Sequence, residues 1–144
     1  MSKAIGTQGT KLYWSTDEIK KVTEDCLIGE VKGWSGPSES TSEIDVTHLT
    51  SEAKEYLIGL VDNGDLTLDI NFIPDDAVQM RMRKDMQDRL KRAWCIQLTD
   101  TDKHQIWGLG YVKGFPLTGS ANSAVSGSIS IRITGKVTIE KTTP

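Results

Sequence analysis

The sequence predicts a mainly β (α+β) domain, an antiparallel β-sandwich or open barrel with one flanking α-helix. Three observations carry that prediction. Near the C-terminus Ile129, Ile131, Ile133, Val137 and Ile139, with Gly127 and Gly135 in register, alternate with Ser128, Ser130, Arg132, Thr134, Lys136 and Thr138. Leu66, Leu68, Ile70 and Phe72 likewise alternate with Thr67, Asp69 and Asn71. A period of two marks a strand with one buried face. One stretch instead repeats every four residues, through Val78, Met82, Met86 and Leu90, and reads as a helix with one apolar stripe. A chain of 144 residues, 37% hydrophobic and 26% charged, fits a single domain over 1–144.

In chain order, a flexible N-terminal arm over about 1–9 precedes a short strand at Lys11–Trp14. Leu27-Ile28-Gly29-Glu30-Val31 reads as the second strand. A long loop follows, about 35–64. Connections beyond about 12–15 residues without structure of their own are functional or disordered. This one holds Ile44, Val46, Leu49, Tyr56, Leu57, Ile58, Leu60 and Val61, with Trp34 at its head, and is too apolar for a solvated linker. Asp62-Asn63-Gly64 then turns the chain into the 66–72 strand, since Asn-Gly accepts positive φ.

Pro74-Asp75-Asp76 opens the helix, about 75–93, with acidic residues at the positive end of its dipole. Arg81–Asp85–Arg89 and Lys84–Asp88–Arg92 form i,i+4 charge ladders on its other faces. Trp94–Thr99 is a strand, Asp100–Lys103 a turn, and Gln105 to Tyr111 or beyond the returning strand. Gly119–Ser123 is a small-residue loop. At about 3.3 Å per residue the terminal strand spans about 40 Å, long against the usual 5–6 or so residues.

Little here converges on catalysis. The net charge of −3 offers no clustered cations for tight duplex binding. No apolar run approaches about 18 residues, and the N-terminus lacks the apolar core of a signal peptide, so synthesis in a cytoplasm is expected. Cys26 and Cys95 read as buried thiols in strand-like segments, and neither stands in metal-ligand spacing with His48 or His104. Ser35 has Pro37 where a nucleophile elbow needs glycine. His48 reads as a loop contact and His104 as a solvated hairpin residue. No glycine-rich phosphate loop ends in Lys-Ser or Lys-Thr, and Gly108-Leu109-Gly110-Tyr111 matches only the start of a dinucleotide fingerprint. Asp75 and Asp76 suit helix capping better than a metal. Glu43 and Asp45 lack a third ligand for calcium. The basic run Arg81, Arg83, Lys84, Arg89, Lys91 and Arg92 is interleaved with Asp85 and Asp88, as on a solvated, salt-bridged face. No enzyme, cofactor or metal site is expected.

Four fragments occur in one order: Gly33-Trp34-Ser35-Gly36-Pro37-Ser38, Glu43-Ile44-Asp45-Val46-Thr47-His48-Leu49, Ala53-Lys54-Glu55-Tyr56-Leu57-Ile58-Gly59-Leu60 and Asp62-Asn63-Gly64-Asp65-Leu66-Thr67-Leu68. With the helix after Pro74-Asp75-Asp76 and the terminal strand, they resemble the major tail tube proteins of long, flexible-tailed (lambda-like) siphophages, over roughly 6–139. The resemblance implies a tail-tube fold, similar to the type VI secretion tube protein. It implies hexameric rings that stack into a hollow conduit through which viral DNA passes into the host. The implied partners are the chain itself, a tape measure protein, tail terminator and distal tail or tail-tip proteins, and double-stranded DNA in non-specific transit, with no membrane insertion by this chain. The implied location is the virion, after synthesis in the host bacterial cytoplasm. Lambda's own protein carries an extra C-terminal immunoglobulin-like domain, which a chain ending at Pro144 is expected to lack.

On this reading the loop is an assembly element. Its expected inter-subunit contacts are Trp34, Ile44, Val46, Leu49, Tyr56, Leu57 and Leu60, with about 43–61 joining copies. Asp65, Thr67, Asp69 and Asn71 on one strand, and Ser128, Ser130, Arg132 and Thr134 on another, are candidates to face a lumen. The alternative for them is an ordinary solvent face. A DNA conduit should touch phosphate weakly or repel it, which suits Asp65 and Asp69 and singles out Arg132. Other readings stand beside this one. They are a tube protein of a contractile or type VI-like injection system, and a β-sandwich carbohydrate-binding or adhesion module stacking sugars on Trp34, Tyr56 and Trp107. An enzyme using Ser35 or His48 comes last.

Overall fold

The two alternating segments form the centre of the molecule. In the computed structural model, which describes residues 5–6 and 8–141, they are β5 (Asp65–Asn71) and β9 (Ser126–Glu140). They pair antiparallel with Leu66 opposite Ile131 and Leu68 opposite Ile129, so both apolar sets share one face. Leu66, Leu68, Ile70, Ile129, Ile131 and Ile133 are all buried.

The remaining elements are β1 (Lys11–Trp14), β2 (Val31–Ser35), β3 (Ser40–Asp45), β4 (Tyr56–Asp62), α1 (Ala77–Asp88), β6 (Arg92–Gln97), β7 (Gln105–Gly114) and β8 (Leu117–Thr118). One antiparallel sheet runs β1-β6-β7-β9-β5-β2, with β8 on β9, while β3 and β4 form a separate hairpin. The large sheet curls until its edge strands β1 and β2 border one groove, lined by Gln8–Thr10, Leu12 and 31–34. Leu12, Trp14, Trp94, Ile96 and Val112 complete the core from the other strands. Each fully buried side chain of this kind contributes about 1.5–3 kcal/mol.

Antiparallel order sorts the strand ends onto two rims. At one rim β1, β5 and β7 end while β2, β6 and β9 begin. Helix α1 lies across this rim. Its Val78 and Met82 enter the core. The buried Gln79 amide donates to Gly29 O (2.9 Å) and Asn71 O (3.0 Å). Arg81 donates to Ser15 O (2.6 Å) and to Trp14 O. The opposite rim carries the hairpin, whose feet are the end of β2 and the start of β5.

A second, smaller core lies outside the sheet. Tyr13, Cys26 and Cys95 pack with Val22, Leu27 and Trp107, so the 15–27 segment covers the outer face of β1, β6 and β7. Lys20 stacks over Trp107 at 5.5 Å and bonds Gln105 (2.6 Å) and Glu140. Burial pushes the Cys95 thiol up to about 12. Among the described residues no such segment covers the outer face of β2, β5 and β9.

Several boundaries differ from the sequence expectation. The second strand is Val31–Ser35, not 27–31; Leu27 makes only an isolated bridge to Tyr13. Cys26 lies in a short 3₁₀ turn, and only Cys95 is in a strand. The helix covers Ala77–Asp88, not 75–93. Asp76 caps it by accepting from Val78 N (2.9 Å) and Gln79 N (3.2 Å), and Arg89 ends it in the left-handed region (φ 59°). Leu90 therefore falls outside the helical stripe and is 38% exposed. The charge ladders are also redrawn. Asp85 is buried on the core side, accepts from Trp14 Nε1 (2.8 Å), and pairs with Arg81 (3.9 Å) and Arg92 (3.3 Å). His104 is half-buried against Asp100, not simply solvated. The expected N-terminal arm falls partly on residues 1–4 and 7, outside the described residues.

Candidate functional site: an apolar arm and a bare polar face

The long loop is a β-hairpin. β3 and β4 pair through Ser40–Asp62, Thr41–Val61, Glu43–Ile58, Ile44–Leu57 and Asp45–Tyr56, with a bulge between Thr41 and Glu43. At one foot Gly36 has φ +105°, and a Cβ there would lie 2.4 Å from Asp65 O. At the other, Gly64 has φ +69°. Ser38 N bonds Asn63 O (2.9 Å), and the buried Asn63 amide donates to Gly135 O. The arm is thus tied to the sheet at its base.

Beyond the base, Leu60 and Val61 border an open cavity with Tyr111 of β7 and Ile133 and Val137 of β9. No residue of β3 or β4 is buried. Because opposed residues share a face, Tyr56, Ile58 and Val61 lie on one side with Asp45, Glu43 and Thr41. Ile44 and Leu57 lie on the other, and the bulge brings Leu60 there too. Leu60 is 92% exposed, Ile58 65% and Leu57 57%. Such a strand, apolar on both sides, is the pattern of one covered on both sides. Here both covers are missing.

The arm tip is held by local bonds. His48 contacts Glu55 (3.2 Å) and Thr50 (2.9 Å), and Ser51 donates to Glu55 (2.7 Å). The Thr47 amide on the Asp45 carboxylate holds that group below the usual carboxylate range. Val46 and Leu49 sit exposed at this tip. Trp34, grouped with these residues in the sequence reading, lies elsewhere: it pairs with Leu68 and packs on the main core. Ile58 and Val61 are missing from that group, although their exposure matches its members. The continuous apolar run of β4 is the signal that points to them.

The eight lumen candidates fall on one surface. Asp65 faces Arg132, Thr67 faces Ser130 and Asp69 faces Ser128, while Asn71 faces Ser126. Thr134 continues the same side of β9. This is the uncovered outer face of the sheet. Arg132 is not a loose cation, for it pairs with Asp62 (3.1 Å) and Asp65 (3.4 Å). Lys113 Nζ also bonds Asp65 (2.5 Å). That hydrogen bond, with Arg132, holds the Asp65 carboxyl low; the Gly64 amide and then Arg132 do the same for Asp62. Lys32 borders the face beside Asp69. The pairing of Lys113 with Asp65 crosses 48 positions and leaves no trace in local sequence pattern.

The aromatics of the sugar-platform reading do not share a surface of their own. They belong to β2, β4 and β7, with Trp34 against the core and Trp107 beneath Lys20.

Comparison with known proteins places this geometry. The family described as "Phage tail tube, TTP, lambda-like" matches residues 3–106. "Structural protein 3" of Pseudomonas phage PAJU2 is 25% identical over 163 aligned positions, which cover 99% of this chain and 98% of the relative. Among solved structures, the SPP1 tail tube superimposes with a TM-score of 0.71 at 17% identity, covering 98% of this chain and 81% of that one. The sheath-tube complex of PVC, an extracellular contractile injection system, gives 0.74 at 13% identity, covering 96% and 93%.

Proposed function

The chain belongs to the lambda-like phage tail tube family, and on that premise we propose that it assembles into hexameric rings stacked as a hollow conduit for viral DNA. The observation that carries this reading is the arm: a hairpin tied down, among the described residues, at its feet, with an exposed strand apolar on both sides. One domain that leaves such a strand bare completes it with another copy. Ile44, Val46, Leu49, Tyr56, Leu57 and Leu60 make those contacts, while Trp34 fixes the base from which the arm springs.

Around a ring, the unpaired edges of the curved layer offer ladder groups for head-to-tail closure into an inner barrel. The face bearing Asp65, Thr67, Asp69, Asn71, Ser128, Ser130, Arg132 and Thr134 then lines the bore. Pairing of Arg132 and Lys113 with carboxylates leaves few free cations to hold phosphate, as passage requires. Assembly on a tape measure protein, closure by terminator and tip proteins, and synthesis in the bacterial cytoplasm belong to the same proposal.

The test replaces 43–61 with a short Gly/Ser linker. The variant should remain a folded monomer, by circular dichroism and sedimentation, and form no tubes under the electron microscope where the parent does. Tubes of ordinary stability from this variant would sink the assembly role of the arm.

A further inference from the structure

One foot of the arm is built on a chemically fragile dipeptide. Asn63-Gly64 joins β4 to β5, and the fold has a use for each residue. Position 64 calls for glycine. Its φ is +69°, and a Cβ there would lie 3.1 Å from both the carbonyl oxygen and the Cβ of Ser38. Position 63 calls for a donor. The buried Asn63 amide donates to Gly135 O on β9, while Asn63 O accepts from Ser38 N (2.9 Å). An ionised aspartate there has no proton to give Gly135 O.

Asparagine before glycine is also the pair that deamidates most readily, because no side chain on the second residue hinders attack by its nitrogen. The Gly64 nitrogen loses its proton and bonds to Asn63 Cγ. The Cγ–Nδ2 bond breaks, ammonia leaves, and a five-membered succinimide remains. Water opens that ring at one carbonyl or the other, leaving aspartate or isoaspartate at position 63. In the folded chain both reacting groups are engaged. Gly64 N–H donates to Asp62 Oδ1 (2.9 Å), and a carboxylate beside that nitrogen disfavours the anion the attack needs. Asn63 is 8% exposed, and its bond to Gly135 O holds the side-chain amide in place.

We propose that Asn63 is a latent deamidation site, shielded by Asp62 and Gly135 while the foot is closed and converted by water when the foot opens. The conversion runs one way. Its product has no donor for Gly135 O, so a buried carbonyl loses its partner. It also sets a new carboxylate between Asp62 and Asp65, which already share Arg132. Isoaspartate adds a backbone carbon at a turn that Ser38 crowds. An arm that has opened and reacted therefore cannot close its foot again. That last consequence rests on the tube reading where assembly is concerned: the altered copy is lost to the tube. The chemistry itself does not depend on that reading.

Peptide mass spectrometry after incubation at mildly alkaline pH tests it. The folded parent should gain the deamidation mass at Asn63 at least tenfold more slowly than the same chain in urea. D62A removes a side chain that is 60% exposed and leaves Arg132 its bond to Asp65, so it should stay folded by circular dichroism. It should nonetheless convert at least threefold faster than the parent. D62S, whose hydroxyl still accepts from Gly64 N–H, should fall between the two. Equal rates in the folded and urea-treated parent, or a folded D62A no faster than the parent, overturn the proposal. N63D, the product made directly, should cut tube yield at least tenfold where the parent forms tubes. Parental yield from N63D overturns the claimed loss of assembly. A parent that forms no tubes, even when seeded with tail-tip proteins, overturns the tube reading and leaves the deamidation site standing.

Discussion

Leu60 offers a direct measure of what the arm contributes. It is 92% exposed in the single chain. Leu60→Ala removes three carbons, each worth about 0.8 kcal/mol on burial, so about 2 kcal/mol is lost if the assembled state covers the exposed fraction. The monomer should hardly notice, since exposed substitutions stay within about 0.5 kcal/mol. At about 1.4 kcal/mol per factor of ten, the critical concentration for tube growth should rise about 30-fold. Pelleting assays across a dilution series read the critical concentration, and urea melts of the unassembled chain read the monomer. An unchanged critical concentration would refute the claim that Leu60 is covered in the tube. A parallel drop in the urea midpoint would show instead that the arm packs within its own chain.

Asp85→Ala should destabilise the monomer by about 3 kcal/mol, because it strands the Trp14 indole and two arginines around a buried site. Asp85→Asn, which can still accept from Trp14, should lose less, and equal losses in urea melts would count against the indole bond. Asp65 has a folded pKa below its ordinary 3.8, so its contribution is complete above that value and disappears as pH falls through the folded one. The stability gap between the parent and Asp65→Asn should therefore be constant near neutrality and close in strong acid. A gap that persists at about pH 2 would argue that Lys113 and Arg132 are not its cause.

The parts of the fold that read clearly from sequence are those whose signal is local. β5 and the inward half of β9 repeat every two residues because one face is buried, and Val78 and Met82 mark the helix for the same reason. β2 was displaced by several residues because a bulge between Val31 and Gly33 breaks its alternation, and its pairing with β5 is remote in sequence. The hairpin was hidden for a different cause. β4 shows no alternation, since neither of its faces is covered by its own chain, and a period appears only where one face is buried and the other is not. Asp85 sits three positions after Met82 and seven after Val78, on the core side of the helix, yet charge type suggested a solvated ladder. Of the polar face, the alternating residues were visible but the neutralising partners Lys113 and Asp62 were not, because they arrive from other elements.

The acidic side of β3 has a consequence for the protein before it joins anything. Two free molecules could zip their arms together strand to strand as a symmetric pair. Such a pair satisfies itself and is useless, since both growing surfaces are consumed. In an antiparallel embrace centred on Ile44, Glu43 of each copy would meet Asp45 of the other at close range, and like charges facing across strands are destabilising. The carboxylates therefore act as a guard against a dead-end dimer. They keep a bare hydrophobic strand from pairing with its own copy in solution.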